Sequence, residues 1–175
     1  MGGRKRVGVR RLTLTALLIA LSVVILLLAS YVPSGRLGIV AVAGLLPAAA
    51  VVSAGLGAGF FCYAGTSILA FFLLPAKECV LLYALLFGHY PMLKSLIEHL
   101  KPLALQWVLK LLLFNGLLSV LYFGFRVLFL AAIPDVLAQT AVLYVAGNVA
   151  FVLYDLCFSR LIDWYQKRIG AFINR

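Results

Sequence analysis

Polar side chains recur at helical spacing in two long apolar stretches near the C-terminus. At 100° per residue, the first stretch places four of them within an arc of about 60°: Asn115, Ser119, Tyr122 and Arg126. The second places four within an arc of about 80°: Thr140, Tyr144, Asn148 and Asp155. Polar groups are costly in lipid and therefore face the interior of a helix bundle. Amides, hydroxyls and a guanidinium on facing helices have the chemistry of a small-molecule binding site.

A short turn at Ile133–Asp135 predicts that the two stretches are antiparallel neighbours. Arg126 and Thr140 then lie at similar heights, as do Asn115 and Asn148. An earlier stretch adds a third stripe, if the helix is not swung too far by its proline: Tyr83, Phe87, Tyr90 and Lys94. Together these stripes predict a pocket with aromatic walls and few polar groups. The alternative is hydrogen bonding that only joins the helices.

The predicted substrate-binding residues are Tyr83, Asn115, Ser119, Tyr122, Arg126, Thr140, Tyr144 and Asn148. Arg126 would hold an anionic or zwitterionic group of the ligand. Four other polar residues are expected to have ordinary structural roles. His89 is expected to bond a carbonyl freed by Pro91, and Asp155 to pair with Arg160 or Lys94, while Glu98 and His99 are expected to be solvated.

Motifs for catalysis or metal binding are not found in the sequence. There is no HExxH, no GxSxG and no glycine-rich phosphate loop, so no enzyme activity, metal or cofactor is expected. The three cysteines show no CxxC pair and are interpreted as small packing residues: Cys62, Cys79 and Cys157.

The composition indicates that a bilayer surrounds most of the chain. Of 175 residues, 65% are hydrophobic and 11% are charged, whereas a globular domain is about half apolar and about a quarter charged. The net charge of +10 comes from 15 Lys and Arg against 5 Asp and Glu. These cations cluster beside apolar stretches, so membrane topology explains them better than nucleic-acid binding does.

The hydropathy pattern predicts an all-α, polytopic bundle of about six transmembrane helices, forming a single integral membrane domain over residues 1–175. The predicted spans are Leu12–Val32, Leu37–Ala54, Gly55–Leu74, Cys79–Leu96, Leu103–Ala131 and Val136–Ser159. The first span is too long for the apolar region of a cleaved signal peptide, which has about 7–15 residues. Residues 1–11 and 160–175 are predicted to be basic cytoplasmic segments.

Both termini are predicted to be cytoplasmic because positive charge collects on that side. With the N-terminus inside, the cytoplasmic set is Arg4, Lys5, Arg6, Arg10, Arg11, Lys94, Lys101, Arg160, Lys167, Arg168 and Arg175, with Lys110 near the inner end of its span. Only Arg36, Lys77 and Arg126 fall on the outer side. We therefore expect a multi-pass protein of the cell membrane, in contact with lipid.

Small residues predict close helix packing in two places, because small side chains let backbones approach in lipid. The second and third spans are rich in Gly and Ala and predict a tight hairpin, or alternatively a surface for a partner. In the first span, Ala16 and Ala20 form a flat patch at i,i+4, which packs within the chain or docks a partner.

The size, the six spans and two local stretches resemble the substrate-binding S components of energy-coupling-factor (ECF) transporters. The stretches are TALLIALSVVILLL, which contains Ala16 and Ala20, and GLLPAAAVVSAGLGAGFF. The resemblance implies that Ala16 and Ala20 dock the transmembrane T subunit of a module driven by ATPase subunits. It also implies that a vitamin-like or other micronutrient is held near the outer side. The connection around Pro33 is short for that family, and no tryptophan lies on the outer side.

Two functions therefore remain open. The first is capture of a small molecule for uptake by an ECF module. The alternative is a scaffold without transport activity that binds partners of the cell-envelope machinery through its Gly/Ala faces or its basic tail. A self-contained carrier is less favoured, because no inverted repeat is visible.

Overall fold

Helices form every regular element that the computed structural model describes. The backbone is described over residues 2–32, 35–128 and 139–173, and side chains over 9–32, 35–128 and 139–164 and at Lys167. In chain order the elements are α1 (Gly2–Tyr31), α2 (Arg36–Ala43), α3 (Leu45–Ala54), α4 (Leu56–Leu73), α5 (Lys77–Leu82), a first π-helical segment (Tyr83–Phe87), α6 (Tyr90–Ile97), α7 (Leu103–Ser119), a second π-helical segment (Val120–Gly124) and α8 (Thr140–Ile173).

Six stretches within the described residues are long and apolar enough to cross a membrane. They are Val9–Tyr31, Arg36–Ala54, Leu56–Leu73, Lys77–Ile97, Leu103–Gly124 and Thr140–Trp164. The prediction of an all-α membrane protein with six spans is confirmed. The predicted turn at Ile133–Asp135 and the span limits Ala131 and Val136 lie outside the described residues, as do several basic side chains of both termini.

Helix α1 packs one stripe of small and aliphatic residues against α2, α3 and α4. The buried positions follow the three- and four-residue spacing of a helix face: Thr15, Ser22, Val23, Leu26 and Ala29. A Cβ at Gly65 of α4 would lie 2.9 Å from Cδ1 of Ile19. The Ile19 side chain therefore packs directly over the Gly65 position, where the small residue leaves room for it.

The second span is divided into α2 and α3 at Gly44. Pro47 has no N–H to donate to the carbonyl of Ala43, which interrupts the helical hydrogen bonds at this point. A Cβ at Gly44 would lie 2.7 Å from Cβ of Phe87 and 3.0 Å from its carbonyl oxygen. The backbone of the first π-helical segment therefore rests directly on Gly44.

The second and third spans form a close-packed helical hairpin. Gly55 turns the chain between α3 and α4 with φ +94°, a conformation that favours glycine. In α4, a Cβ at Gly59 would lie 2.2 Å from Cγ2 of Val51 and 3.3 Å from the carbonyl oxygen of Pro47. The small residues here serve the contact within the chain that the sequence predicts.

The fourth span changes direction between α5 and α6. In the first π-helical segment, the N–H of Gly88 donates to the carbonyl of Tyr83 over 2.7 Å. The carbonyl of Ala84 accepts a hydrogen bond from the Tyr63 hydroxyl at 3.0 Å, and Nδ1 of His89 lies 3.2 Å from it. Side chains thus satisfy backbone groups that the irregular turn frees. His89 thus contacts a backbone carbonyl, but that of Ala84 rather than the Phe87 carbonyl that Pro91 leaves without its usual donor.

Candidate functional site

Three pairs of polar side chains join the α7 span to α8 at successive heights. We call them the polar seam: Tyr122 with Thr140, Ser119 with Tyr144, and Asn115 with Asn148. The first two pairs are hydroxyl contacts of 2.9 Å and 2.5 Å. The two amides exchange two hydrogen bonds of 2.9 Å each. The antiparallel matching in depth that the sequence predicts is therefore present.

The seam residues also bond to the helix backbone beside them. Nδ2 of Asn115 donates to the carbonyl of Leu111 at 2.8 Å, and Nδ2 of Asn148 donates to that of Tyr144 at 2.8 Å. The Ser119 hydroxyl donates to the carbonyl of Asn115 at 2.8 Å. Each seam pair is thus satisfied within the helix pair. This is the helix-joining arrangement that the sequence left as an alternative.

Two predicted site residues lie away from these pairs. Arg126 is exposed, and its Cζ lies 5.6 Å from the ring centroid of Tyr122 at one end of the seam. Tyr83 is fully buried, with its ring centroid 6.3 Å from that of Tyr63. The stripe predicted for the fourth span is therefore divided, because the π-helical segment and the break before α6 turn its residues to different neighbours.

An apolar cavity of about 360 Å³ lies beside the seam, between α2, the first π-helical segment, α7 and α8. Its lining includes Gly38, Phe87, Phe114, Gly147, Phe151 and Tyr154. The rings of Phe114 and Phe151 are stacked with centroids 4.4 Å apart. The hydroxyl of Tyr154 is buried, and it has no hydrogen-bond partner among the described residues. The cavity thus has predominantly apolar walls, and the Tyr154 hydroxyl is buried in the protein rather than open to the cavity.

A second group of polar residues lies further along α8 than the polar seam. There, Asp155 pairs with two lysines from different helices. Nζ of Lys94 lies 2.5 Å from Oδ1 of Asp155, and Nζ of Lys110 lies 3.0 Å from Oδ2. The Tyr90 hydroxyl also donates to Oδ1. Lys94, Lys110 and Asp155 are 2%, 4% and 2% exposed. Close pairing of the opposite charges offsets the cost of removing them from water.

Glu98 completes this group from the C-terminal end of α6. Its Oε1 lies 2.6 Å from Nζ of Lys94 and 2.8 Å from Nζ of Lys110. The Ser159 hydroxyl accepts a further bond of 2.8 Å from Lys94. We call the whole set the ion cluster: Tyr90, Lys94, Glu98, Lys110, Asp155 and Ser159. Its two ammonium groups and two carboxylates sum to zero charge.

The expectation that Glu98 is merely solvated is wrong. Its side chain is 41% exposed, yet it accepts hydrogen bonds from both buried lysines. Burial acts to raise the pKa of Glu98, but the hydrogen bonds from Lys110 and Lys94 outweigh it and hold the pKa below its ordinary value of 4.5. The sequence contains a signal for one of these contacts. Glu98 follows Lys94 by four residues, a spacing that places both side chains on one helix face.

The predicted pairing of Asp155 with Lys94 is confirmed, and the contribution of Lys110 is additional. The sequence predicts only that Lys110 lies near a span end, because helical periodicity indicates a face but not the height of a partner on another helix. The cluster therefore joins α6, α7 and α8, whereas the polar seam joins the α7 span and α8 alone.

A second cavity of about 360 Å³ adjoins the ion cluster, and we call it the polar cavity. Lys94, Ser95, Glu98 and His99 line it on one side, and apolar side chains of α3 and α8 line it on the other. Nδ1 of His99 lies within hydrogen-bond distance of the carbonyl of Ser95. Polar and apolar surfaces thus face one partly open cavity.

Ala16 and Ala20 are both exposed on α1, away from its buried stripe.

Among the described residues, no group of three or more His, Cys, Asp or Glu side chains is placed to hold a metal ion. Cys62 and Cys79 are buried thiols and Cys157 is an exposed one.

Comparison with known protein families, curated proteins and solved structures finds no match.

Proposed function

We propose that this chain is the small-molecule capture subunit of an ATP-driven uptake transporter, similar in role to an ECF S component. The observation that supports this most is the apolar cavity between α2, α7 and α8. Its volume of about 360 Å³ falls within the range of about 300–1,000 Å³ that is usual for ligand sites. The polar seam lies alongside and fixes the helix pair that forms one wall.

The lining of the cavity indicates the class of ligand. Aromatic and aliphatic side chains dominate it, so the occupant is small and largely apolar. Among the described residues, the lining contains no charged side chain. A compact aromatic or hydrocarbon micronutrient has the matching chemistry.

The distribution of charge supports binding from the outer side. The ion cluster lies toward the end of the bundle that carries the basic N-terminus, whereas Leu37 and Leu143, near the starts of α2 and α8, place the apolar cavity in the opposite half. With the basic end cytoplasmic, the cavity lies in the outer half of the cell membrane. Its ligand would then enter from outside.

The exposed positions of Ala16 and Ala20 support docking of a transmembrane partner on α1. Small residues at i,i+4 leave a flat surface on which another helix can pack closely. On this proposal, the partner is the T subunit, and the ATPase subunits of the same module supply the energy for release of the ligand.

Native mass spectrometry of the gently purified full chain tests the proposal. We expect a retained small molecule together with a T subunit and ATPase subunits. Retention of ordinary phospholipid alone, or co-purification with a cell-wall synthase in place of the transporter subunits, would overturn it in favour of the scaffold.

A further inference from the structure

The ion cluster holds one accessible anionic group, the carboxylate of Glu98. Lys94 and Lys110 both donate to the same oxygen of Glu98, over 2.6 Å and 2.8 Å. Both ammonium groups belong to buried lysines, whereas the Glu98 side chain is 41% exposed. The anion is thus the accessible member of the group and the cations are the fixed ones.

Without Glu98, the charge of the cluster is not balanced. Asp155 neutralises one of the two lysines, so the remaining buried groups carry a net charge of +1. An uncompensated buried charge is strongly unfavourable. If the Glu98 side chain turns away, another anion must therefore take its place.

The location of Glu98 permits that exchange. It caps the C-terminal end of α6, and the connection to α7 follows at once. Its carboxylate lines the polar cavity together with Lys94. A molecule in that cavity can reach Lys94 and the position that the Glu98 carboxylate occupies between the two lysines.

We propose that the polar cavity binds the phosphate or carboxylate group of an anionic molecule, which displaces Glu98 from Lys94 and Lys110. The apolar wall formed by Val52, Pro91 and Ile162 would contact the uncharged part of that molecule. The same chemistry is offered by the headgroup of an anionic lipid and by a water-soluble phosphate. The inference does not depend on the proposed function, since it concerns a different cavity.

Two binding measurements on the purified full chain distinguish these sources. The first adds inorganic phosphate to the protein in a neutral detergent and measures binding by calorimetry at constant ionic strength. The second compares phosphatidylcholine nanodiscs with and without phosphatidylglycerol and measures retained lipid by native mass spectrometry. Saturable binding of phosphate indicates a soluble anion, whereas selective retention of phosphatidylglycerol indicates a lipid headgroup.

Glu98→Gln is the decisive variant, because it removes the internal competitor while retaining the size of the side chain. We expect the affinity for the anion to rise about tenfold or more, as a larger fraction of the protein becomes competent to bind. Glu78→Gln is the matched control. It removes a carboxylate that is paired with Arg36 at 2.7 Å and lies away from the polar cavity, so it should leave the affinity unchanged.

Val52→Phe provides a second, independent variant. It narrows the polar cavity without changing a charge, and we expect it to weaken anion binding in the otherwise unaltered chain. The proposal is overturned if neither phosphate nor phosphatidylglycerol binds. It is also overturned if Glu98→Gln and Glu78→Gln gain equally, or if Val52→Phe binds as well as the unaltered protein.

Discussion

Asn115 and Asn148 exchange two hydrogen bonds of 2.9 Å across the interface between α7 and α8. Each amide therefore supplies both the donor and the acceptor that the other requires. Between helices in lipid, where apolar contact provides little driving force, such pairs determine which faces meet. The pair fixes the rotation of both helices at the wall of the apolar cavity.

A double-mutant cycle of Asn115→Leu and Asn148→Leu should show energetic coupling between the two residues. Each single substitution leaves the other amide without its partner, so we expect each to lower the free energy of unfolding by about 0.5–1.5 kcal/mol. The double substitution should cost less than the sum of the single ones. Unfolding in mixed micelles measures these values. Val149→Leu, at an exposed position of α8, is the control, and strictly additive effects would contradict the prediction.

Filling the apolar cavity at Gly38 should abolish ligand retention. A Cβ at Gly38 meets no atom within 4 Å, so Gly38→Leu extends into the space that the ligand would use. Gly116→Leu is the matched control, because Gly116 is also unobstructed but does not line the cavity. Native mass spectrometry measures the retained molecule.

The same measurement with Arg126→Ala distinguishes the cavity from the site that the sequence predicts around Arg126. We expect retention to persist in that variant, because the cavity is lined by other residues. Loss of the ligand in Arg126→Ala, together with normal retention in Gly38→Leu, would instead place the ligand at the end of the polar seam.

Asp155→Asn should destabilise the protein severely. The substitution leaves the buried ammonium groups of Lys94 and Lys110 with only Glu98 as a counterion, and breaking a buried ion pair costs about 3–5 kcal/mol. Asp163→Asn makes the same chemical change two turns later on α8, at an exposed position, and should have little effect. The yield of folded monomer and the free energy of unfolding measure both. Equal stability of the two variants would show that the cluster contributes nothing.

The contribution of Glu98 to stability should depend on pH in the acidic range. Its pKa is held below the ordinary value of 4.5 by Lys110 and Lys94, so the stabilisation is present above about pH 4.5 and is lost as the pH falls through the lowered value. At neutral pH, Glu98→Gln should therefore melt at a lower temperature than the unaltered protein. This difference should shrink below pH 4.5. A difference that stays constant with pH would refute the prediction.

Gly44→Ala should loosen the contact between the second and fourth spans. Its Cβ would meet backbone atoms of Phe87 at 3.0 Å and 3.1 Å, and backbone cannot move aside as a side-chain tip can. We expect a loss of about 1–3 kcal/mol in the free energy of unfolding. Gly57→Ala introduces the same methyl group into open space and should leave stability unchanged or raise it. Equal effects would indicate that the contact is adaptable.

Hydropathy and helical periodicity predicted the spans and the polar seam, for a simple physical reason. A helix that crosses lipid needs a minimum apolar length, and its polar residues must face inward. When a short turn joins two such helices, the relative heights of their residues follow from counting. Counting residues from that turn places Asn115 and Asn148 at the same depth.

The helix breaks and the ion cluster were harder to predict. Lys94 and Asp155 lie 61 residues apart and on spans that are not joined by a single turn, so their relative height depends on the π-helical segment and on the break before α6. Local sequence signals do not report such irregularities well. The tight contact of Gly44 with Phe87 is also a property of two distant segments, and a single glycine among many did not identify it.

The placement of Lys94, Lys110 and Asp155 on three successive spans has a consequence for biogenesis. The lysines are synthesised and inserted before their shared counterion emerges from the ribosome. Until Asp155 arrives, the nascent hairpin carries an excess positive charge at its border with lipid. The sixth span therefore completes the neutralisation of the two spans before it.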